Sequence, residues 1–336
     1  MRILLTGSTG FVGRGLLKKM VSDGHWDLVT AVRSQSVSCA YKQVESLTVA
    51  ELGADTDWRK ALKDVDVVIH CAARAHVIHE NVANPLAAFR KANVEGTMSL
   101  ARQAAQAGVR RFIFISTIKV NGEGTLLGVP YASDTPPAPM NPYGISKMEA
   151  EMGLRALAAQ TGMEVVIIRP ALVYGPGVKA NFLNMMRILN KGIPLPLGAI
   201  YNKRSLVALD NLVDLILICI DHPDAANQTF LVSDGDDLST TELLLRMAMA
   251  LGRPARLLPL PSWMLERGAA VLGKKALSQR LCGSLQVDIG KTREVLGWIP
   301  PVSVDLALEV TAKHFLELET SKVTASGQAN GGRIRL

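Results

Sequence analysis

The segment Arg2-Ile3-Leu4-Leu5-Thr6-Gly7-Ser8-Thr9-Gly10-Phe11-Val12-Gly13 constrains this chain more than any other. An apolar run feeds straight into glycines spaced three apart, and a helix-like pattern follows over Val12–Ser22. Gly7 permits a tight turn, Gly10 lets the backbone approach a pyrophosphate, and Gly13 allows the helix to lie close to the strand. Unpaired N–H groups at the helix start then meet phosphate charge. The spacing alone is a weak sign. In a strand–turn–helix setting it predicts a dinucleotide-binding unit.

Short β-branched runs recur at Ile3–Leu5, Leu28–Val32, Val65–Ile69, Arg111–Ile115 and Val165–Arg169. Helical patterns lie between them at Val12–Ser22, Pro85–Ala107 and Pro142–Gln160. Several of the runs are continuously apolar, as in a parallel sheet covered on both faces. The expected fold is therefore α/β, a doubly wound parallel sheet of the Rossmann kind, with a smaller loop-rich substrate-binding cap. Glycine and proline punctuate the chain after Arg169-Pro170, and Asp210–Asp221 reads as a returning helix. The reading assigns 1–170 with 205–235 to the dinucleotide-binding domain and 171–204 with 236–320 to the cap. It leaves 321–336 as a mobile tail.

Composition narrows the function. Across 336 residues, 48% hydrophobic and 20% charged exclude a disordered chain. Cys39, Cys71, Cys219 and Cys282 are far apart, with no histidine cluster at metal spacing. Free thiols, a reducing compartment and no metal are expected. The net charge is +7, but no basic run is interleaved with aromatics, so nucleic acid is excluded as a partner. The charge reads as a solvated surface or as a cleft that attracts anionic small molecules. Asp210, Asn211 and Asp214 break the apolar stretch 206–220, which is short of the roughly 20 residues a spanning helix needs. No room for a signal peptide precedes the first strand, so a cytoplasmic protein without stable membrane insertion is expected. Pro261–Gly273 is apolar enough to lie on lipid, or else packs in the cap or at a dimer contact.

The end of the second strand bears on the cofactor. A carboxylate there would take the ribose 2′-OH of NAD, but Arg33 and Ser34 follow Val32 instead. Guanidinium and hydroxyl suit a 2′-phosphate, although a surface arginine could also stack on adenine without discriminating. The reading favours NADP(H), with NAD(H) as the alternative. Tyr143 and Lys147 stand at i and i+4 on a predicted helix, about 5–6 Å apart at Cβ. A phenol ionises near 10 unless positive charge lowers it, and Lys147 with an oxidised nicotinamide would supply that charge. Ser116-Thr117 follow the strand Arg111–Ile115, where strand-end hydroxyls face a ligand crevice. Either could hold a substrate oxygen or merely form a turn.

Together these residues resemble the extended short-chain dehydrogenase/reductases, in the branch of nucleotide-sugar epimerases, dehydratases and reductases. The resemblance also rests on Asn93-Val94-Glu95-Gly96-Thr97, Arg169-Pro170, Tyr174-Gly175-Pro176-Gly177, Arg204-Ser205, Asp210 and Leu296-Gly297-Trp298. It implies Thr117, Tyr143 and Lys147 as the catalytic group, Tyr143 exchanging a proton with the sugar C4 oxygen and Lys147 holding the nicotinamide ribose. It further implies Gly7, Gly10, Phe11, Val12, Gly13, Ala72 and Ala73 at the cofactor, with Cys71 in the same loop. Asn181 and Arg204 fall at positions for the nucleotide-sugar diphosphate, beside Ser116 as a substrate contact. Asn93 is either a site residue or structural. Ile118-Lys119 stand where 4,6-dehydratases carry Asp-Glu, which removes dehydration. Asn121 replaces a usual tyrosine, and the differing loop 74–79 leaves His76 without a firm role.

The run Ile115–Gly122 with Gly198–Ser205 resembles bacterial enzymes that form UDP-N-acetylquinovosamine for surface polysaccharide. The expected activity is thus NAD(P)H-dependent reduction of a UDP-4-keto-6-deoxy-N-acetylhexosamine. A UDP-hexose 4-epimerase with tightly bound NAD is the alternative, acting on UDP-glucose or UDP-N-acetylglucosamine. A non-catalytic NADP-binding regulator is a third reading, disfavoured because Tyr143 and Lys147 are both present. A nucleotide-sugar partner and a homodimer complete the expectation.

Overall fold

Alternation along the strands explains why the sheet is buried on both sides. Ile3 and Leu5 enter one core while Leu4, between them, enters the opposite one. Val67 and Ile69 repeat the pattern against Val68, and Ile113 against Phe112 and Phe114. A computed structural model describes residues 1–33, 41–75, 84–271, 273 and 275–331.

In chain order the first elements are β1 (Arg2–Thr6), α1 (Phe11–Asp23), β2 (Asp27–Val32), β3 (Glu45–Thr48) and β4 (Val67–His70). Then come α2 (Pro85–Arg90), α3 (Gly96–Gln106), β5 (Arg111–Ile115), α4 (Pro142–Thr161), β6 (Glu164–Pro170) and β7 (Leu172–Tyr174). They continue through α5 (Ala180–Asn190), β8 (Leu206–Ala208), α6 (Leu209–Asp221), β9 (Thr229–Val232) and α7 (Thr240–Ala250). The last are α8 (Ser262–Val271), α9 (Lys275–Cys282), α10 (Gly290–Leu296) and α11 (Val304–Gly331). The main sheet has the order β3-β2-β1-β4-β5-β6-β9, with every neighbouring pair parallel. Strand order reverses between β1 and β4, which places the ligand crevice at their carboxyl ends.

Apolar stripes of α1 (Leu16, Leu17, Met20) and α6 (Leu212, Ile216, Cys219) cover one face. The other is covered by α3 (Leu100, Ala101, Ala104) and α4 (Ala150, Leu154). A third core joins Phe182 and Met186 of α5, Leu244 and Met247 of α7, and Leu308 and Phe315 of α11. The cap is thus more helical than its glycines and prolines suggest. Tyr174 links it to the sheet, stacking on Phe182 at 5.3 Å and donating a 3.0 Å hydrogen bond to Asp234.

The predicted doubly wound parallel sheet is observed. Of the predicted strands, Val65–Ile69 begins two residues later, because the Val65 N–H closes a turn on the Leu62 carbonyl. The helix expected over 85–107 is interrupted by a π turn at Lys91–Glu95. The last helix continues to Gly331, into the stretch read as a tail, and no proline interrupts it there. Ser34, Cys39 and His76 lie outside the described residues. Among the described residues no helix is long and apolar enough to cross a membrane.

Candidate active site

The nucleotide turn is built by backbone meeting backbone. Gly7 has φ +73°, and a Cβ there would lie 2.6 Å from the Ala72 nitrogen. A Cβ on Gly13 would lie 2.2 Å from the Gly7 carbonyl oxygen, so any side chain would push α1 off β1. Gly10 differs: a Cβ there would meet only the Gly7 oxygen, at 3.2 Å. Its outer side is open space. α1 has no side-chain cap and no acidic residue in its first turn. The N–H groups there are left for an anion, and the turn fits the pyrophosphate of a dinucleotide. Phe11 and Val12 are half-buried in that first turn, Ala72 is half-buried against Gly7, and Ala73 is exposed.

Helix α4 carries the phenol and the ammonium. Its N-cap, Asn141, accepts a 2.8 Å hydrogen bond from the Gly144 N–H, and Pro142 opens the first turn. A Cβ on Gly144 would lie 2.7 Å from the Lys119 carbonyl oxygen. Glycine at this position therefore lets α4 sit on the 3₁₀ turn Ile118–Val120, directly after Thr117. Tyr143 is half-buried, its ring 6.1 Å from that of Phe89. Lys147 is buried, its Nζ 3.8 Å from the centre of the Phe114 ring. Burial pushes the Tyr143 hydroxyl up to about 12. Burial also pulls Lys147 down to about 7, against the opposing charge of Glu151. The phenol was expected to be lowered by its lysine. In the protein alone, desolvation wins over that charge.

Beneath this pair lies a closed polar network. Glu151, one turn beyond Lys147, is wholly buried and takes a two-point contact from Arg169 at 2.9 and 2.5 Å. Arg155 adds a third bond at 3.0 Å, and Arg169 reaches Asn121 at 3.0 Å. Ser116 donates its hydroxyl to Glu151 at 2.6 Å and is itself buried. Its hydroxyl proton is thus committed to Glu151 rather than left for the substrate contact expected of it. Thr117, next in the chain and half-buried, accepts the Lys119 N–H at 3.3 Å and remains the hydroxyl able to meet a substrate oxygen.

Sequence reasoning missed His70, which ends β4. Its Nδ1 is 2.7 Å from the Thr6 hydroxyl and its Nε2 is 3.0 Å from that of Thr97. The ring stacks on Phe114, the same ring that Lys147 lies against. Burial, aided by the Lys147 charge, pulls His70 down to about 3 and keeps it neutral. A polar residue ending a buried apolar strand was the available signal. Glu151 carried one too, at i+4 from Lys147. Asn93 settles as structural: its amide donates to the Arg74 carbonyl and the Ser146 hydroxyl, both at 3.0 Å, and accepts the Arg74 N–H at 2.8 Å. Burial pushes the Cys71 thiol up to about 12, which disfavours the thiolate form.

On the cap side, Arg204 donates to the Gly283 carbonyl at 2.9 Å, and burial lowers its pKa against the pull of Glu123. Asn181 is exposed in the first turn of α5. Arg33 is exposed just past β2. Trp298 is buried with its indole N–H on Asp214 at 2.8 Å, which docks the terminal Leu-Gly-Trp motif onto α6.

Residues 3–233 match the NAD dependent epimerase/dehydratase family. The chain belongs to that family. It is 52% identical over 318 residues to a UDP-glucose 4-epimerase of Vibrio cholerae, covering 94% of this chain and 95% of that protein. An N-acetyl-alpha-D-glucosaminyl-diphospho-ditrans,octacis-undecaprenol 4-epimerase of Escherichia coli O157:H7 is 26% identical, covering 96% and 98%. Among solved structures, a UDP-glucuronic acid 4-epimerase from Bacillus cereus in complex with NAD superposes with a TM-score of 0.77. It is 21% identical and covers 95% of this chain and 97% of its own, a likeness of fold.

Two expectations change with family membership. The 4-ketoreductase reading is overturned by the Vibrio cholerae relative, whose activity is an isomerisation rather than a net reduction. The preference for NADP argued from Arg33 gains no support, since the family is described as NAD dependent.

Proposed function

We propose that this epimerase/dehydratase family member interconverts the C4 epimers of a UDP-hexose, UDP-glucose and UDP-galactose, with tightly held NAD. The observation that carries the reading is the 52% identity, along nearly the whole chain, to a UDP-glucose 4-epimerase. The Escherichia coli O157:H7 relative differs in the carrier of its sugar but shares the glycosyl diphosphate, and it stands much further away in sequence.

The open turn at Gly10 and the uncapped start of α1 would hold the pyrophosphate of NAD, with Ala72 and Ala73 lining the pocket. Tyr143 and Lys147 would meet the nicotinamide ribose, and Arg33 would lie toward the adenosine end. NAD held there would supply the hydride acceptor and, while oxidised, positive charge that favours ionisation of the phenol. Tyr143 takes the proton of the C4 hydroxyl and returns it once the other face of the sugar is presented. A phenol held near 12 is a strong base once ionised, and Lys147 one turn away would favour that ionisation when protonated. Thr117 holds the C4 oxygen by hydrogen bond while charge develops on it. Arg204 and Asn181 contribute to holding the diphosphate from the cap. No net oxidation occurs, so the cofactor need not exchange.

The test is conversion of UDP-galactose to UDP-glucose by purified protein without added reductant, followed by NMR of the anomeric protons. Epimerisation with no external reductant supports the reading. Absence of epimerisation under these conditions, or conversion only when reductant is supplied, would overturn it.

A further inference from the structure

Residues 251–282 carry six lysines and arginines against one acid, Glu266. This is a net +5 within a chain whose total is +7. In the same segment α8 turns large apolar side chains outward. Trp263 is 56% exposed, Met264 44% and Val271 86%, and Leu258 just before the helix is 53% exposed. Leu265 leans on the cap core, and α8 packs chiefly on α9. Arg253, Arg256, Arg267 and Arg280 are all exposed, and the Arg267 guanidinium lies over the Trp263 indole at 5.4 Å. A second apolar tip belongs to the same region. Leu126 and Leu127 are exposed on a loop tied to the chain just after α9, where the Thr125 N–H meets the Ser284 carbonyl at 2.9 Å.

We propose that α8 and its flanking arginines form a docking surface for an anionic lipid bilayer, on which the protein lies without crossing. Exposed tryptophan with arginine on a short apolar helix matches the water–lipid boundary, where an amphipathic ring and a snorkelling cation are both satisfied. The concentrated positive charge matches anionic headgroups. A second copy is a poorer occupant. In a two-fold contact the same patch meets itself, and that would set these arginines against one another. Gly283, whose carbonyl receives Arg204, immediately follows α9. The bilayer would therefore lie beside the cap wall of the crevice.

Docking does not depend on the proposed reaction, and its test is separate. Full-length protein is sedimented with vesicles of equal phosphatidylglycerol and phosphatidylcholine, or with phosphatidylcholine alone. The expected result is binding to the anionic vesicles only, with a blue shift of tryptophan emission, weakening at about 0.5 M salt as the charges are screened. Arg256→Gln, Arg267→Gln and Arg280→Gln should each lower the partition coefficient about fivefold. The Trp263→Ser/Met264→Ser double variant should lower it by about tenfold or more. Thermal unfolding should be unchanged in all of these variants. Failure to bind anionic vesicles, equal binding to neutral ones, or binding indifferent to both sets of substitutions overturns the proposal. So does a dimer in solution that the double variant dissolves without any vesicle binding.

Discussion

The two walls of the crevice are made differently. On the sheet side, β1, β4, β5 and α4 meet through contacts with no slack, such as Gly7 on Ala72 and Gly144 on Lys119. Their polar groups are paired inside the protein, with Glu151, Arg169, Ser116 and Asn121 all buried. On the cap side, Asn181 is exposed, Arg204 rests on a single carbonyl, and α8 turns a tryptophan outward. Proton transfer needs tightly fixed groups, and the sheet wall supplies them. Recognition of a substrate tail tolerates looser ones, and the cap wall supplies those.

Substitutions can break that contrast. The largest effect is expected for Tyr143→Phe, which keeps the ring but loses the proton carrier. Turnover of UDP-galactose should fall about 10³-fold while the unfolding midpoint stays put. Near-wild-type turnover would remove Tyr143 from the mechanism. Glu151→Ala leaves Arg169 buried without its partner, and urea unfolding should show a loss of about 3–5 kcal/mol. If the loss were below about 1 kcal/mol, the network would be no more rigid than a surface pair.

Gly144→Ala tests the close approach itself. A Cβ 2.7 Å from the Lys119 oxygen must displace α4, costing about 1–3 kcal/mol. Turnover should fall with it, because Tyr143 is the adjacent residue. On the cap wall, Arg204→Gln should raise KM about tenfold with little change in kcat, the pattern of lost uniform binding. A fall in kcat alone would move Arg204 to the chemical step.

The smallest effect is a pH slope. Lys147 is held at about 7 in the folded protein, whereas an unfolded chain keeps the ordinary lysine value of about 10.4. Between those values the unfolded chain binds more protons, so stability rises with pH through this window and is lost as pH falls toward 7. Ligand-free protein should therefore gain a few degrees in Tm at about pH 9 relative to about pH 7, compared with Lys147→Met. Equal slopes for the two proteins would mean that the ammonium is not desolvated.

The core strands were legible because continuous apolar runs such as Phe112–Ile115 fit a covered parallel sheet best. Short strands were not. β3 reads Glu-Ser-Leu-Thr at an edge, and β7 and β8 are three residues each. In the site, the i, i+4 spacing of Tyr143 and Lys147 was legible. The division of labour between Ser116 and Thr117 was not, since either hydroxyl could face the crevice until Glu151 is seen taking one. Burial hid Glu151 as well, because a glutamate in a twenty-residue helix reads as a solvated charge. Arg33 carried too much weight in the cofactor reading, because one side chain at a strand end can rest on adenine as easily as on a phosphate. Ile118-Lys119 argued against dehydration in the sequence, but no residue there reports whether a hydride stays or leaves.

The π turn at Lys91–Glu95 has a consequence for length. It is one residue more than a smooth helix from Pro85 to Gln106 would hold, and Asn93 sits in that excess with its amide reaching both Arg74 and Ser146. Deleting a single residue there would let the helix run unbroken, with better backbone hydrogen bonds than the protein has now. It would also swing Asn93 by about a quarter-turn, freeing the loop after β4 from α4. The shorter chain would have the more regular helix and the poorer enzyme, so a one-residue deletion in those five positions is a change that local helix stability rewards and function does not.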